Sequence, residues 1–279
     1  MDLIATLQCA DQPGIVHAMT SAVLACDGNI IENQQFTDHS TNTFVMRTRF
    51  ESAQGLERAT SSLSDGLSRF SPSLHIRPTE QKPRALVLVT KESHCLRDLM
   101  YLLELGELPI EIPLVISNHD DLKSLVESHG IPFLHLPVTA SSKEEQEKLI
   151  KEEIKKLKID FVVLARYMQV LSSEFCASLP GKIINIHHSF LPGFKGAKPY
   201  HQAHDRGVKI IGATAHFVTA DLDEGPIIEQ DVAHVTHSCS PEELIALGRD
   251  IESRVLAKAV KLYAEDCIFV VGHRTVIFS

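Results

Sequence analysis

The 279-residue chain has no excess of positive charge: 27 lysines and arginines stand against 36 aspartates and glutamates, which gives a formal net charge of −9. Because nucleic-acid binding requires a basic face that displaces counterions from phosphates, we expect no nucleic-acid partner. No stretch reaches the ~18 apolar residues of a membrane span, so we expect no membrane partner. The start of the chain also lacks the basic segment and apolar core of a signal peptide, which favours a cytoplasmic location.

The six cysteines are scattered and contain no C-x-x-C pair. This absence argues against a disulfide framework and predicts reduced, mostly buried thiols. Internal repeats and low-complexity segments are missing as well. What is present is ordinary for a globular protein, with 44% hydrophobic and 23% charged residues, and the length suggests two domains or one large α/β domain.

The first 77 residues contain four strand patterns and two helix patterns. Ile15, Met19 and Val23 recur at helical spacing, whereas the strand segments are short and alternate or are rich in apolar residues. The order βαββαβ favours an antiparallel four-stranded sheet with both helices on one face. The predicted strands are 3–9, 30–37, 43–50 and 74–77, and the predicted helices are 15–24 and 54–70.

A second pattern begins after the polar stretch 78–83, which is bracketed by prolines and which we interpret as a linker. Residues 85–89 form a continuous apolar run, typical of a strand buried on both faces. Strand and helix patterns then alternate up to a long helix at 241–263 and a terminal hairpin at 267–278, which predicts an α/β unit with a doubly wound, mostly parallel sheet. The expected domains are residues 1–78 and 84–279.

The densest polar cluster, Asn185–Gly193, begins at the carboxyl end of an apolar strand predicted at residues 182–187. Because side chains alternate along a strand, Asn185 and His187 project from the same face. Ligands of open α/β sheets bind at the carboxyl ends of the strands, where this pair lies. An amide N–H and an imidazolium are donors suited to a developing oxyanion. A polar strand end with capping side chains would explain either residue alone, but it explains the pair at this spacing less well.

A second cluster, His216–Pro226, contains three acidic residues ahead of a Gly-Pro pair. The acidic residues lie in the loop between predicted strands at 209–218 and 226–235. A solvated turn would explain this composition equally well. The position of the loop, however, allows a carboxylate to face the imidazole of His187 across the end of the sheet. A carboxylate beside a histidine raises the imidazole pKa and orients a water molecule.

Two separated motifs resemble the folate-dependent formyltransferases, of which glycinamide ribonucleotide formyltransferase is a member. The motifs are Asn185-Ile186-His187 followed by Ser189 and Leu191-Pro192, and Gly212-Ala213-Thr214 followed by His216-Phe217-Val218, Asp223, Gly225-Pro226-Ile227-Ile228 and Gln230. The resemblance covers about residues 84–240. It implies the formyltransferase fold and catalytic roles for Asn185, His187 and Asp223.

The same resemblance implies a pterin pocket lined by residues 164–171. In this pocket the backbone of Gln169 and Leu171 forms hydrogen bonds with the pterin, and Met168 packs on the pterin ring. Helix core is the alternative for Met168 and Leu171. The acidic loop would wrap the other side of the pterin. His188 stands where the transferases usually carry proline, and it either orients a water molecule or packs at the strand end. The implied substrate-binding residues are Met168, Gln169, Leu171, His188, Asp221 and Leu222.

The turn from Asp11 to Val16 resembles the D-x-P-G start of an ACT domain, and the βαββαβ order agrees. This resemblance implies a regulatory unit that binds a small amino acid such as glycine or methionine, and a homo-oligomer that forms through ACT domains. A capped turn in a domain that serves only assembly is the alternative. The implied effector-binding residues are Asp11, Pro13, Gly14 and Ile15.

Three further segments, Thr90–Cys95, Ile183–Pro192 and Gly196-Ala197 followed by Pro199-Tyr200-His201-Gln202-Ala203, extend the resemblance. With them, nearly the whole chain is similar to the formyltetrahydrofolate deformylases, in which an ACT domain precedes the formyltransferase fold. The resemblance implies an enzyme that hydrolyses 10-formyltetrahydrofolate to formate and tetrahydrofolate, a reaction of one-carbon metabolism that supplies formate for purine biosynthesis. A transferase acting on an amine and a non-catalytic folate or amino-acid sensor are the alternatives. The loop 90–95 argues against the transferase, because it lacks a glycine to cradle an acceptor phosphate and carries Glu92.

We expect no cofactor, since the folate is the substrate and the Asn, His and Asp set works without one. His201 and His204 have the i, i+3 spacing of two ligands on a helix and would bind a metal ion together with a third ligand elsewhere. No strong ligand motif accompanies them, so we expect no metal ion.

Overall fold

The computed structural model describes residues 1–139, 142–191 and 199–278. The chain divides into two compact units. The first contains Met1–Lys82 together with the C-terminal residues from Glu265 onward, and the second is Pro83–Ala264.

The first unit contains an antiparallel four-stranded sheet in the order β2-β3-β1-β4. Apolar side chains of both helices and of the strands, such as Leu7, Met19 and Leu63, form one core on the same side of this sheet. The observed order βαββαβ confirms the prediction. The elements are β1 (Asp2–Ala10), α1 (Ile15–Ala25), β2 (Gly28–Asp38), β3 (Thr43–Ser52), α2 (Gly55–Leu67) and β4 (Ser73–Pro78).

The second unit contains a seven-stranded sheet in the order β11-β10-β9-β8-β5-β6-β7, in which only β10 runs antiparallel to its neighbours. This architecture confirms the predicted mostly parallel sheet. The strands are β5 (Arg84–Val89), β6 (Glu111–Ser117), β7 (Phe133–His135), β8 (Phe161–Leu164), β9 (Ile183–His187), β10 (Ile210–Phe217) and β11 (Ile227–His234). The helices are α3 (His94–Glu104), α4 (Lys123–Ser128), α5 (Lys143–Lys156), α6 (Ser173–Ser178), α7 (Pro199–Asp205) and α8 (Pro241–Ala264).

The central strands of this sheet are buried on both faces, as their continuous apolar runs predict. Residues 85–89 of β5 and all of β8 are buried. The 24-residue helix α8 packs against β10, β11 and α3. All six cysteines are free thiols, and five are buried. None of the described helices is both long and apolar enough to cross a membrane.

The terminal hairpin, β12 (Ile268–Val271) and β13 (Arg274–Ile277), belongs to the first unit. The expected second domain, 84–279, therefore differs from the observed unit in its last residues. The physical reason is apolar burial: Phe269, Val271 and Phe278 pack with Val45, whose side chain points away from the helix-covered core. An ion pair between Arg77 and Asp266 adds a polar contact at the start of the hairpin.

Candidate active site

Three segments of the second unit bring polar side chains to one cavity of about 260 Å³. They are the end of β9, the end of β10 and the loop between β10 and β11. Because β9 and β10 are antiparallel, Asn185 lies opposite His216 and His187 lies opposite Thr214. Directly paired residues project from the same face of a sheet, so the register of this strand pair gathers these polar groups.

His216 orients Asn185. Its Nδ1 lies 2.9 Å from the carbonyl oxygen of Phe217, to which a protonated Nδ1 donates. In the neutral ring Nε2 is then the acceptor for the Asn185 Nδ2–H, at 3.2 Å. This contact leaves the second Nδ2 hydrogen of Asn185 for a ligand. His216 is 2% exposed and was not predicted as a site residue, although it lies within the second motif.

The loop after β10 folds back so tightly that it requires Gly225. A Cβ at this position would lie 1.7 Å from the Phe217 carbonyl oxygen. The Phe217 N–H donates to the Pro226 carbonyl at 2.9 Å and fixes the return of the chain. Asp223 then adopts a φ of 57°, a left-handed conformation that aspartate tolerates better than most residues. The Gly-Pro sequence thus places the acidic loop against the strand end.

Asp223 faces two histidines. One of them is His187, which the position of the loop in the sequence predicts as a neighbour of a carboxylate. Asp223 Oδ2 lies 3.3 Å from His187 Nδ1, and Asp223 Oδ1 lies 3.7 Å from His216 Nε2. The hydrogen bond from His187 holds the pKa of the Asp223 carboxyl well below its usual range. The ionised carboxylate fixes a proton on His187 Nδ1. His187 Nε2 is buried and has no hydrogen-bond partner among the described residues.

His188 lies beside this set. The rings of His187 and His188 stack with centroids 5.0 Å apart and an interplanar angle of 21°. Burial lowers the pKa of His188 to about 4, helped by the positive charges of Arg166 and His187. The chain after His188 is held by Thr214, whose hydroxyl donates to the Ser189 carbonyl at 2.9 Å. Pro192, Gly196 and Ala197 of the sequence motifs lie outside the described residues.

The opposite wall is the irregular segment that follows β8. It is held by the Met168 N–H, which donates to Thr90 Oγ1 at 2.9 Å. Met168 is 56% exposed and lies in no helix, so the alternative of helix core is wrong for this residue. Of the six implied substrate-binding residues, five line the cavity and Asp221 does not. The five are Met168, Gln169, Leu171, His188 and Leu222.

A buried carboxylate lies behind this wall and was not predicted. Glu252 on α8 is 1% exposed and accepts hydrogen bonds from Tyr200 at 2.6 Å and, in the corresponding tautomer, from His94 Nε2 at 2.8 Å. Arg166, which lines the cavity, places Nε 3.4 Å from Glu252 Oε2. Burial raises the pKa of Glu252, but the His94 hydrogen bond and the Arg166 charge outweigh burial and lower it.

His94, Cys95 and Glu252 have ligand atoms within 4.8 Å of one another, close enough to share a metal ion. Two observations argue against that use. Burial raises the pKa of the Cys95 thiol, whereas metal ligation needs the thiolate. The guanidinium of Arg166 also occupies the neighbourhood of Glu252 with a positive charge. We therefore interpret the group as a hydrogen-bonded network.

The four implied effector-binding residues lie in the first unit, at the start of α1. Gly14 caps the helix with a φ of 97°, and no side chain of the described residues caps the free N–H groups of the first turn. The Asp11 N–H donates to the Asn42 carbonyl, Pro13 is exposed and Ile15 is buried. The helix is therefore capped by the left-handed backbone of Gly14.

Comparison with known proteins identifies the family. The Formyl transferase family matches residues 83–260. A formyltetrahydrofolate deformylase of Corynebacterium sp. (strain P-1) is 46% identical and covers 98% of this chain and 97% of the relative. The Escherichia coli (strain K12) deformylase is also 46% identical, over 96% of this chain and 95% of the relative. This chain belongs to the formyltetrahydrofolate deformylase family.

Solved structures agree with this assignment. A formyltetrahydrofolate deformylase from Burkholderia mallei is 45% identical, has a TM-score of 0.96 and covers 100% of this chain and 99% of its own. A glycinamide ribonucleotide transformylase from Symbiobacterium toebii is 30% identical and has a TM-score of 0.68. The match covers 74% of this chain and 97% of the transformylase. The predicted resemblance to the deformylase family and the predicted fold are confirmed.

Proposed function

We propose that this deformylase-family protein hydrolyses 10-formyltetrahydrofolate to formate and tetrahydrofolate, and so supplies formate for purine biosynthesis. The observation that carries the proposal is the convergence of Asn185, His187 and Asp223 in one cavity of a chain that is 46% identical to deformylases along nearly its whole length. The reaction takes place in the cytoplasm and uses neither a metal ion nor a cofactor; elemental analysis of the active protein tests the absence of metal.

The formyl oxygen binds between Asn185 Nδ2 and His187 Nε2. Asp223 accepts the Nδ1–H of His187, so that the imidazolium form also presents an Nε2–H to the cavity. When water attacks the formyl carbon, the carbonyl oxygen becomes an oxyanion. Preorganised donors of this kind each stabilise such a transition state by about 3–4 kcal/mol.

The pterin ring occupies the space between the segment that follows β8 and the loop that joins β10 to β11. Exposed Met168 and Leu222, 56% and 64% accessible, provide apolar surface on the cavity lining. Exposed apolar side chains at a cavity are typical of a ligand site. The backbone of Gln169 and Leu171 supplies hydrogen bonds to the edge of the pterin, and Asp221 contributes through the fold of its loop, where its carbonyl accepts from Thr219 Oγ1 at 3.1 Å.

Water, rather than an amine, is the acceptor. The loop between β5 and α3 contains no glycine, so it offers no close backbone cradle for the phosphate of an acceptor. It carries Glu92, whose carboxylate is already paired with Arg249 at 3.1 Å. The loop therefore presents an acidic group where a phosphate site needs free donors.

Formate release without an acceptor tests the proposal. The purified protein is incubated with 10-formyltetrahydrofolate alone, and formate and tetrahydrofolate are quantified; equal amounts of both are expected. The assay is then repeated with glycinamide ribonucleotide and other amines. Turnover only with an amine and an N-formyl product would establish a transferase, and binding of the folate without any turnover would establish a sensor.

The first unit serves regulation by a small amino acid. The uncapped N–H groups at the start of α1 suit a carboxylate, and the guanidinium of Arg69 lies close enough that a Cβ on Gly14 would meet it at 2.6 Å. The same unit serves assembly of a homo-oligomer. Its edge strand β2 exposes Ile31 and Phe36, and edge strands pair readily with a second copy. A monomeric mass by light scattering at micromolar concentration would contradict the assembly.

A further inference from the structure

His188 lines the cavity but has no part in the oxyanion contacts described above. Although β9 ends at His187, the two rings stack, so both imidazoles lie side by side. One of them presents its free nitrogen to the formyl oxygen. The other is therefore placed within reach of a molecule that approaches the same carbon.

We propose that His188 binds the attacking water and accepts its proton, which makes it a catalytic residue of the hydrolysis proposed above. The inference rests on that proposed function. It concerns which group activates the water, a role that Asp223 would otherwise have to fill.

Elimination among the titratable groups that line the cavity supports this role. Arg166 cannot accept a proton, and the Tyr167 hydroxyl donates to Gln146 at 3.2 Å while burial raises its pKa to about 12. His216 and His187 are bonded to Asn185 and Asp223. Two acceptors remain among the described residues, Asp223 and His188.

Asp223 is the weaker of these two bases. Both of its oxygens already face imidazole nitrogens, at 3.3 and 3.7 Å. The hydrogen bond from His187 stabilises the carboxylate and holds its pKa well below the usual range, so a proton from water is poorly retained there. Asp223 is therefore suited to orienting His187 rather than to deprotonating water.

The surroundings of His188 keep its ring neutral and able to accept. The groups that face it are Arg166 from the loop after β8, His187 from β9, Glu252 from α8, Tyr200 from α7 and Asp223 from the loop after β10. Burial and the two positive charges outweigh the two carboxylates, and the pKa of His188 falls to about 4. At neutral pH the ring therefore has a free lone pair. Glu252 acts as a positioning residue, because it holds Arg166 at 3.4 Å.

The reaction balances without any further reactant. The water oxygen bonds to the formyl carbon while one water proton moves to His188, and the carbonyl oxygen becomes the oxyanion held by Asn185 and His187. The oxyanion then re-forms the carbonyl as the bond between carbon and N10 breaks. The protonated His188 returns its proton to N10, which releases tetrahydrofolate and formic acid. Formic acid ionises to formate in solvent.

Replacing His188 by alanine tests the assignment. General base catalysis contributes about 100- to 10,000-fold, so we expect His188→Ala to lower kcat by at least ~100-fold with unchanged affinity for tetrahydrofolate. Added imidazole should restore part of the lost rate, which a merely structural role would not allow. His201→Ala, on the exposed side of α7, is the matched control and should keep wild-type kcat.

Arg166→Met provides a second test that does not remove His188. Loss of the positive charge raises the pKa of His188, so the acid limb of the kcat profile, expected near pH 4 in the wild type, should move to higher pH. Two results would overturn the assignment, provided that the wild-type protein hydrolyses the substrate. One is a His188→Ala variant that keeps more than a third of the wild-type kcat, and the other is an acid limb that does not move in Arg166→Met. A wild-type protein that releases no formate would instead overturn the proposed function.

Discussion

At the residue scale, the charge of Asp223 is the feature on which the proposed site depends most. Asp223→Asn preserves the size of the side chain but removes the carboxylate that fixes the His187 proton at 3.3 Å. We expect turnover to fall at least ~100-fold while affinity for tetrahydrofolate changes little. Asp221→Asn is the matched control, because this residue lies in the same loop but does not line the cavity, and it should stay near wild-type turnover. Equal activity of the two variants would remove Asp223 from the mechanism.

The position of the pair Asn185 and His187 could be predicted because strand periodicity alone places both on one face. The position of His216 depends on the register between two strands, which the sequence does not specify directly. Glu252 could not be predicted as a neighbour of His94, since 158 residues separate them and helix periodicity assigns a buried position to core. Long-range packing, rather than local pattern, brings that network together.

At the scale of elements, the loop between β10 and β11 determines where the carboxylate of Asp223 lies. A methyl group at Gly225 would overlap the Phe217 carbonyl oxygen, so Gly225→Ala must displace the loop. We expect at least a ~10-fold loss of kcat together with a lower melting temperature, because displacement separates the carboxylate from His187. Gly181→Ala is the control: its φ of 67° costs stability, but open space surrounds it, so kcat should remain unchanged. Unchanged kcat in Gly225→Ala would contradict the close fit of this loop.

The regular elements of both units could be predicted because their apolar patterns persist over several turns or strand repeats. The helices α6 and α7 were not predicted, since six and seven residues complete fewer than two turns and give little periodicity. The terminal hairpin was predicted as a hairpin but was assigned to the second domain, whereas it belongs to the first unit. Its alternating pattern indicates that one face is buried, and only the fold shows that Val45 covers it.

At the scale of the whole molecule, the proposed function couples an amino-acid site in the first unit to hydrolysis in the second. We expect glycine or methionine to change the hydrolysis rate and Gly14→Leu to abolish that response, because the added side chain would meet Arg69 at the start of α1. Gly55→Leu, also at positive φ but in open space, should retain the response. A screen of all twenty amino acids that shows no effect on rate or melting temperature would reject the regulatory role.

The most direct test of the central claim is the origin of the oxygen that formate gains. 10-Formyltetrahydrofolate is turned over by the purified protein in H₂¹⁸O without any amine, and the formate is analysed by mass spectrometry. Hydrolysis in this cavity predicts one ¹⁸O atom in each formate molecule and an equal amount of tetrahydrofolate. Formate without the label, or no formate until an amine is added, would contradict the account.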